Sequence, residues 1–112
     1  MRRSPTARAW KDSAPVFAAL GDETRLRVVA RLCEEGPLSI TRLTEGADVS
    51  RQAVTKHLQV LASAGLVKNT REGRESLWRL EPGRLAEARR LLDLISKEWD
   101  DRLDRLKAFV EK

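Results

Sequence analysis

The 112-residue sequence predicts a mainly α fold with one small β-hairpin, and three observations predict it. Apolar residues recur at helical spacing over most of the chain. Glycine and proline cut it into short segments. Only residues 66–80 change to strand-like spacing, around a Glu72-Gly73 turn. The length fits one domain whose core is near the low end for independent stability. With 41% hydrophobic and 35% charged residues the chain is too apolar to stay disordered. No run approaches the roughly 18 apolar residues of a membrane span.

The first helix is expected over Ala14 to Leu20, with an extension back to Ala7 across a kink at Pro15; Gly21 ends it. Ahead of it, Arg2 and Arg3 lead into Arg8, Lys11 and Asp12, where a targeting signal would need an apolar stretch. Residues 1–13 are therefore read as a flexible, cytoplasmic end. Asp22 is a good N-cap for the second helix, and Arg25 at N3 rules out a capping box. That helix runs to about Glu35, and Gly36-Pro37 stops it. Leu26, Val29, Ala30 and Cys33 share a face, which Val28 and Leu32 widen, so the helix is expected to be central. Cys33, the only cysteine, is accordingly expected to be a buried core thiol. Alone it makes neither an internal disulfide nor a multi-thiolate metal site.

Ser39 can cap a short helix through about Glu45, with Ile40 and Leu43 inward. Gly46-Ala47-Asp48 makes a turn, and Ser50 caps the next helix, which runs to about Ala64 before Gly65 at C′. Leu66 to Arg71 and Arg74 to Leu80 read as two short strands. Glu81-Pro82-Gly83 breaks the chain again, and Leu85 to about Val110 is one long helix. Three clustered helices followed by a hairpin form the winged helix-turn-helix arrangement.

The net charge of +5 is unevenly spread. Residues 1–49 sum to +1, residues 50–79 to +4 and residues 80–112 to zero. The central excess comes from Arg51, Lys56, Lys68, Arg71, Arg74 and Arg79 against Glu72 and Glu75, which suits a polyanion-binding face as well as a merely basic surface.

The helix from Ser50 separates the two. Val54, Leu58 and Leu61 fall on one face. Gln52, Thr55, Lys56 and Gln59 fall on the other, with no carboxylate among them. A solvated helix mixes both signs for pairing at i,i+4; a helix approaching phosphates excludes acids. Glutamine and threonine bond base edges, and lysine or arginine bonds phosphate or guanine. Ser50 and Arg51 sit at the helix N-terminus, where backbone N–H groups favour phosphate. At the hairpin tip, Arg71 and Arg74 are placed to meet a minor groove or the backbone. His57, on the flank of the apolar stripe, reads as a packed, hydrogen-bonded structural histidine rather than a DNA contact. As the only histidine it has no second imidazole to share a metal.

The last helix carries Leu85, Ala88, Leu92, Ile95, Trp99, Leu103, Leu106 and Val110 at intervals of three and four, with Glu98–Arg102, Lys97–Asp101 and Asp101–Arg105 at i,i+4. One small core cannot cover about 26 residues, or roughly 39 Å of helix. The cheapest partner is a second copy, giving a two-fold dimer. Phe17, Leu20 and Trp10 of the first helix are candidates to complete that interface.

These residues resemble the ArsR/SmtB family of bacterial winged-helix repressors, over about Val16 to Leu80 with the dimer helix beyond. Ala19-Leu20-Gly21-Asp22-Glu23-Thr24-Arg25-Leu26-Arg27 is similar to the family's stretch entering its second helix. Ser50 to Leu58, with Leu61 and Ala64-Gly65-Leu66-Val67, is similar to its recognition helix and approach to the wing. The resemblance implies a homodimer built on first and last helices, repression at operators and release by an inducer. It implies Ser50, Arg51, Gln52, Thr55 and Lys56 at the major groove, with Arg71 and Arg74 on the wing. Metal-sensing members often carry two cysteines at the places of Ser39 and Thr41, or aspartate and histidine pairs on the last helix. Here hydroxyls and isolated carboxylates such as Asp93, Asp100, Asp101 and Asp104 stand instead, a poor set for zinc or arsenic. No metal, no cofactor and no membrane are expected, and the inducer is unknown.

The expected organisation is thus a flexible end (1–13), a winged helix-turn-helix DNA-binding domain (14–81) and a dimerisation helix (82–112). The expected function is transcriptional repression on a palindromic operator in double-stranded DNA. The alternative is a protein-interaction module that uses the long helix, with vestigial DNA binding. Catalysis is not expected: no histidine or carboxylate is placed to activate Ser50 or Ser63, and no phosphate loop or dinucleotide fingerprint is present.

Overall fold

A computed structural model describes the backbone of residues 5–111 and the side chains of residues 10–111. Seven elements follow one another: α1 (Pro5–Leu20), α2 (Glu23–Glu35), α3 (Ile40–Thr44), α4 (Arg51–Ser63), β1 (Val67–Glu72), β2 (Glu75–Leu80) and α5 (Pro82–Val110). Helix α1 starts at Pro5, so it takes the extension expected back to Ala7 and two residues more; of the end read as flexible this leaves Met1 to Ser4, which lie outside the described residues. Pro5 opens the helix, where its missing N–H has no role. Pro15 removes one interior hydrogen bond. The helix continues past it because α1 lies along α5 and buries Ser13, Val16 and Ala19.

The three expected caps form. The Asp22 carboxylate accepts from the Arg25 N–H at 3.0 Å, Ser39 Oγ from the Arg42 N–H at 3.2 Å, and Ser50 Oγ from the Ala53 N–H at 3.1 Å. Each satisfies one of the orphan donors of a helix N-terminus.

Helix α2 corrects the sequence reading. Its buried residues are Val28, Val29 and Leu32, whereas Leu26 is 51% exposed, and Ala30 and Cys33 are exposed as well. Cys33 is therefore a surface thiol and not a core one. The helix has two adjacent apolar flanks that share Val29, and the protomer covers only one of them.

One core joins Val16 and Ala19 of α1, Val28, Val29 and Leu32 of α2, Leu43 of α3, Val54, Leu58 and Leu61 of α4, and Ala88 of α5, with Leu38, Leu66 and Val67 from the connections and the first strand. Strands β1 and β2 pair antiparallel from Val67↔Leu80 to Glu72↔Glu75. The loop is thus Gly73-Arg74, one residue beyond the expected turn. Gly73 takes φ +63°, as a hairpin turn with glycine at its first central position requires. Leu38, between α2 and α3, exchanges two backbone hydrogen bonds with Trp78, at 3.0 and 2.8 Å. That bridge fixes the hairpin against the helices.

Helix α5 is about 43 Å long at 1.5 Å per residue. Only Ala88 and Leu91 are fully buried, and every residue from Leu92 to Glu111 is exposed. The chain extends 66 × 33 × 20 Å because the second half of α5 runs off the body. Among the described residues no helix is long and apolar enough to cross a membrane.

Candidate nucleic-acid interface

Helix α4 is held by Val54, Leu58 and Leu61, all at most 1% exposed, so its rotation about its own axis is fixed by the core. That leaves Arg51, Gln52, Lys56 and Gln59 exposed on the outer face, without a carboxylate anywhere in the helix. Thr55 sits at the edge and is half-buried. Its hydroxyl donates to the Arg51 carbonyl at 2.9 Å, so towards a base it offers lone pairs and a methyl group rather than a proton. Ser50 is the reverse case: its oxygen accepts the capping N–H, which leaves the hydroxyl proton for a phosphate oxygen.

On the hairpin, Arg71 and Arg74 are exposed, and neither forms an ion pair among the described residues. Arg79 differs. It bonds the Glu72 carboxylate across the strands and the Thr70 hydroxyl at 2.9 Å. One of the six cations counted in the basic segment is therefore neutralised locally, and so is one of its two acids. The rest of the segment's positive charge lies at the tip, along α4 and at the exposed Lys68 near the base of the hairpin.

Two arginines that sequence reading passed over hold this frame. Arg31 of α2 donates through Nη1 to the carbonyls of Arg42, Leu43 and Glu45, at 2.9, 3.3 and 3.3 Å, while its Nε bonds Glu35 at 2.9 Å. It caps the C-terminal end of α3, whose last carbonyls have no partner within the helix. A cleft of about 390 Å³ lies between α2 and the turn at Gly46–Val49, whose Ala47 and Val49 pack on the core, and the cap ties the start of that turn to α2. The Arg31 hydrogen bond, opposed in part by desolvation, holds the Glu35 carboxyl below its ordinary range. Arg25 donates through Nε to the Ala19 carbonyl at 2.6 Å, and its Nη1 lies 3.3 Å from His57 Nδ1. His57, with its side chain 22% exposed, is thus packed and hydrogen-bonded on the flank of α4. Apart from the Arg31–Glu35 pair at i,i+4, the side-chain contacts of both arginines span six to 32 residues, so no local pattern announces the clamps.

The residues assigned to a dimer interface divide into two groups. Phe17 and Leu85 are half-buried against the core of their own chain. Leu92, Ile95, Trp99, Leu103 and Leu106 are open, with Trp99 63% and Leu106 58% exposed, and Phe109 and Val110 extend the same stripe. Leu20 packs on the core, and Trp10 is exposed.

A family model described as a helix-turn-helix domain matches residues 20–70. The chain is similar to the HTH-type transcriptional regulator Rv2034 of Mycobacterium tuberculosis, at 42% identity over 88% of this chain and 95% of that protein. It is similar to an arsenical resistance operon repressor of Escherichia coli, at 32% identity over 85% and 79% of the two chains. Among solved structures, the ArsR-like transcriptional regulator from Rhodococcus sp. RHA1 superposes with a TM-score of 0.77 at 39% identity, covering 89% of this chain and 93% of that one.

Proposed function

The chain belongs to the ArsR family of winged helix-turn-helix transcriptional regulators and is a DNA-binding regulator; from that premise we propose that it is a repressor whose homodimer reads a palindromic operator. The observation that carries this is the exposed, acid-free face of α4 beside two wing-tip arginines that form no ion pair among the described residues. Gln52, Thr55, Lys56 and Gln59 read base edges in the major groove. Ser50, Arg51, Arg71 and Arg74 hold the phosphate backbone and the flanking minor groove.

The dimer follows from α5. Half-exposed apolar side chains of this kind contribute about 1 kcal/mol each when fully covered. The seven of the stripe (Leu92, Ile95, Trp99, Leu103, Leu106, Phe109 and Val110), on each of two copies, offset an association cost of about 4–15 kcal/mol. Two-fold pairing then presents two copies of α4 to one duplex. Repression rests on the E. coli relative's name and on the expectation that a bound dimer occludes a promoter. In this reading the regulator works in the cytoplasm, where its DNA is, and takes no catalytic role.

Selection from random double-stranded DNA tests the reading. It should enrich an imperfect palindrome with half-site centres about 10 base pairs, or a multiple of that, apart. With three arginines per protomer neutralising phosphates, the logarithm of affinity should fall with the logarithm of salt at a slope of about −5. Enrichment of no motif, or of a single unpaired half-site, contradicts the proposal.

A further inference from the structure

Arg25 touches three helices at once. From the first turn of α2 it covers the Ala19 carbonyl in the last turn of α1, at 2.6 Å, and reaches His57 Nδ1 in the middle of α4, at 3.3 Å. The Asp22 carboxylate closes the cluster, 3.8 Å from the same ring nitrogen, and is itself fixed by capping the Arg25 N–H. Arginine has no acceptor, so in this contact Nδ1 is the lone-pair nitrogen and the ring proton sits on Nε2.

The core does not need this cluster to hold α4, because Val54, Leu58 and Leu61 already fix the helix to the body. What the cluster adds is a polar tie between α4 and the end of α1. Helix α1 lies along α5, the helix whose free half meets the second copy. The chain of contacts therefore runs from the dimer helices, through Arg25, to the flank of the helix that enters the groove. We infer that Arg25 and His57 are positioning residues that set the angle of the recognition helix to the dimer helices, and hence the half-site spacing the dimer accepts. This rests on the proposed dimeric operator reading.

Two variants break the tie in different ways. In Arg25→Lys a single ammonium replaces a planar fork and cannot serve the Ala19 carbonyl and the imidazole together. In His57→Leu the acceptor is lost while the volume is kept. His57→Asn is the rescue, because its Oδ1 stands near the place of Nδ1. Each full-length protein is titrated against duplexes that carry one selected operator with its half-sites at the native spacing, one base pair closer and one base pair wider, and against a duplex with a single half-site. One base pair moves a half-site by about 3.4 Å and turns it by about 35°, so wild type should lose about tenfold in affinity at either altered spacing. Arg25→Lys and His57→Leu should lose less than about threefold, with single half-site affinity kept within about twofold; His57→Asn should restore the wild-type profile.

Variants that keep the wild-type profile, or that weaken every duplex equally, overturn the inference. A flat wild-type profile overturns the dimeric reading beneath it, and the inference with it. Thermal unfolding and sedimentation of each variant identify any that has simply lost its fold or its partner.

Discussion

Helices α4 and α5 are both amphipathic, yet each shows its purpose by a different anomaly. The apolar face of α4 is fully covered inside the protomer, and what stands out is its polar face, which carries no acid. The polar face of α5 is ordinary, with seven Lys or Arg and six Asp or Glu interleaved between Pro82 and Val110. Its anomaly is the apolar face, which stays open from Leu92 onward. A missing carboxylate points to a polyanion. An uncovered stripe that continues a buried one points to a second protein surface.

The largest expected effect comes from breaking the α5 half of this contrast. Leu103→Asp combined with Leu106→Asp should give a monomer in sedimentation with its circular dichroism intact. Its affinity for the palindrome should fall by about 10²–10⁴-fold, since the second half-site no longer binds intramolecularly. A variant that stays dimeric would move the interface elsewhere.

Truncations within the two stripes sharpen the contrast. Leu58→Ala removes a side chain with no exposure and should cost about 2–5 kcal/mol at any protein concentration. Leu103→Ala should destabilise chiefly through the dimer, so its loss in thermal unfolding should shrink as protein concentration rises. Equal, concentration-independent losses would mean that the overhang packs on its own chain.

Smaller effects belong to the polar face. Gln52→Ala should relax base preference at one operator position per half-site by about 1–3 kcal/mol. Arg74→Ala should weaken all sequences alike and make the salt slope shallower by about 1 per protomer. A loss of base preference with Arg74→Ala would place the wing, not α4, as the reader.

The smallest effect is at Asp22. The N–H of Arg25 holds its carboxyl below the ordinary value, partly offset by desolvation and helped by the nearby charge of Arg25 and the N–H of Thr24. A lowered native value means that the contribution is complete above the ordinary carboxyl range and is lost as the pH falls below it. Asparagine caps as well as aspartate but does not titrate. Between about pH 5 and pH 3, wild type should therefore lose thermal stability slightly faster than Asp22→Asn. Parallel curves would remove the carboxylate from the account.

Local chemistry made much of this legible. Asp22, Ser39 and Ser50 cap where their side chains predict, and the inward face of α4 follows from Val54, Leu58 and Leu61 alone. Three things were less legible. In α2, two apolar flanks share Val29, and periodicity cannot say which one a protomer covers; Cys33 fell on the open one. The hairpin loop shifted by one residue because Gly73, not Glu72, must take the positive φ at its first central position. The clamps of Arg25 and Arg31, and the neutralisation of Arg79 by Glu72, join residues that no spacing rule links. The last of these also shows that a charge tally overstates the free cations of a basic segment.

The central claim is that two copies of α4, paired through α5, lie in major grooves on one face of a duplex. Dimethyl sulfate protection tests it directly, because the reagent modifies guanine N7, which lines that groove. The account predicts two protected patches centred about 10 base pairs, or a multiple of that, apart, which disappear together with Leu103→Asp and Leu106→Asp. A single patch, or binding that leaves every guanine N7 open, would contradict it.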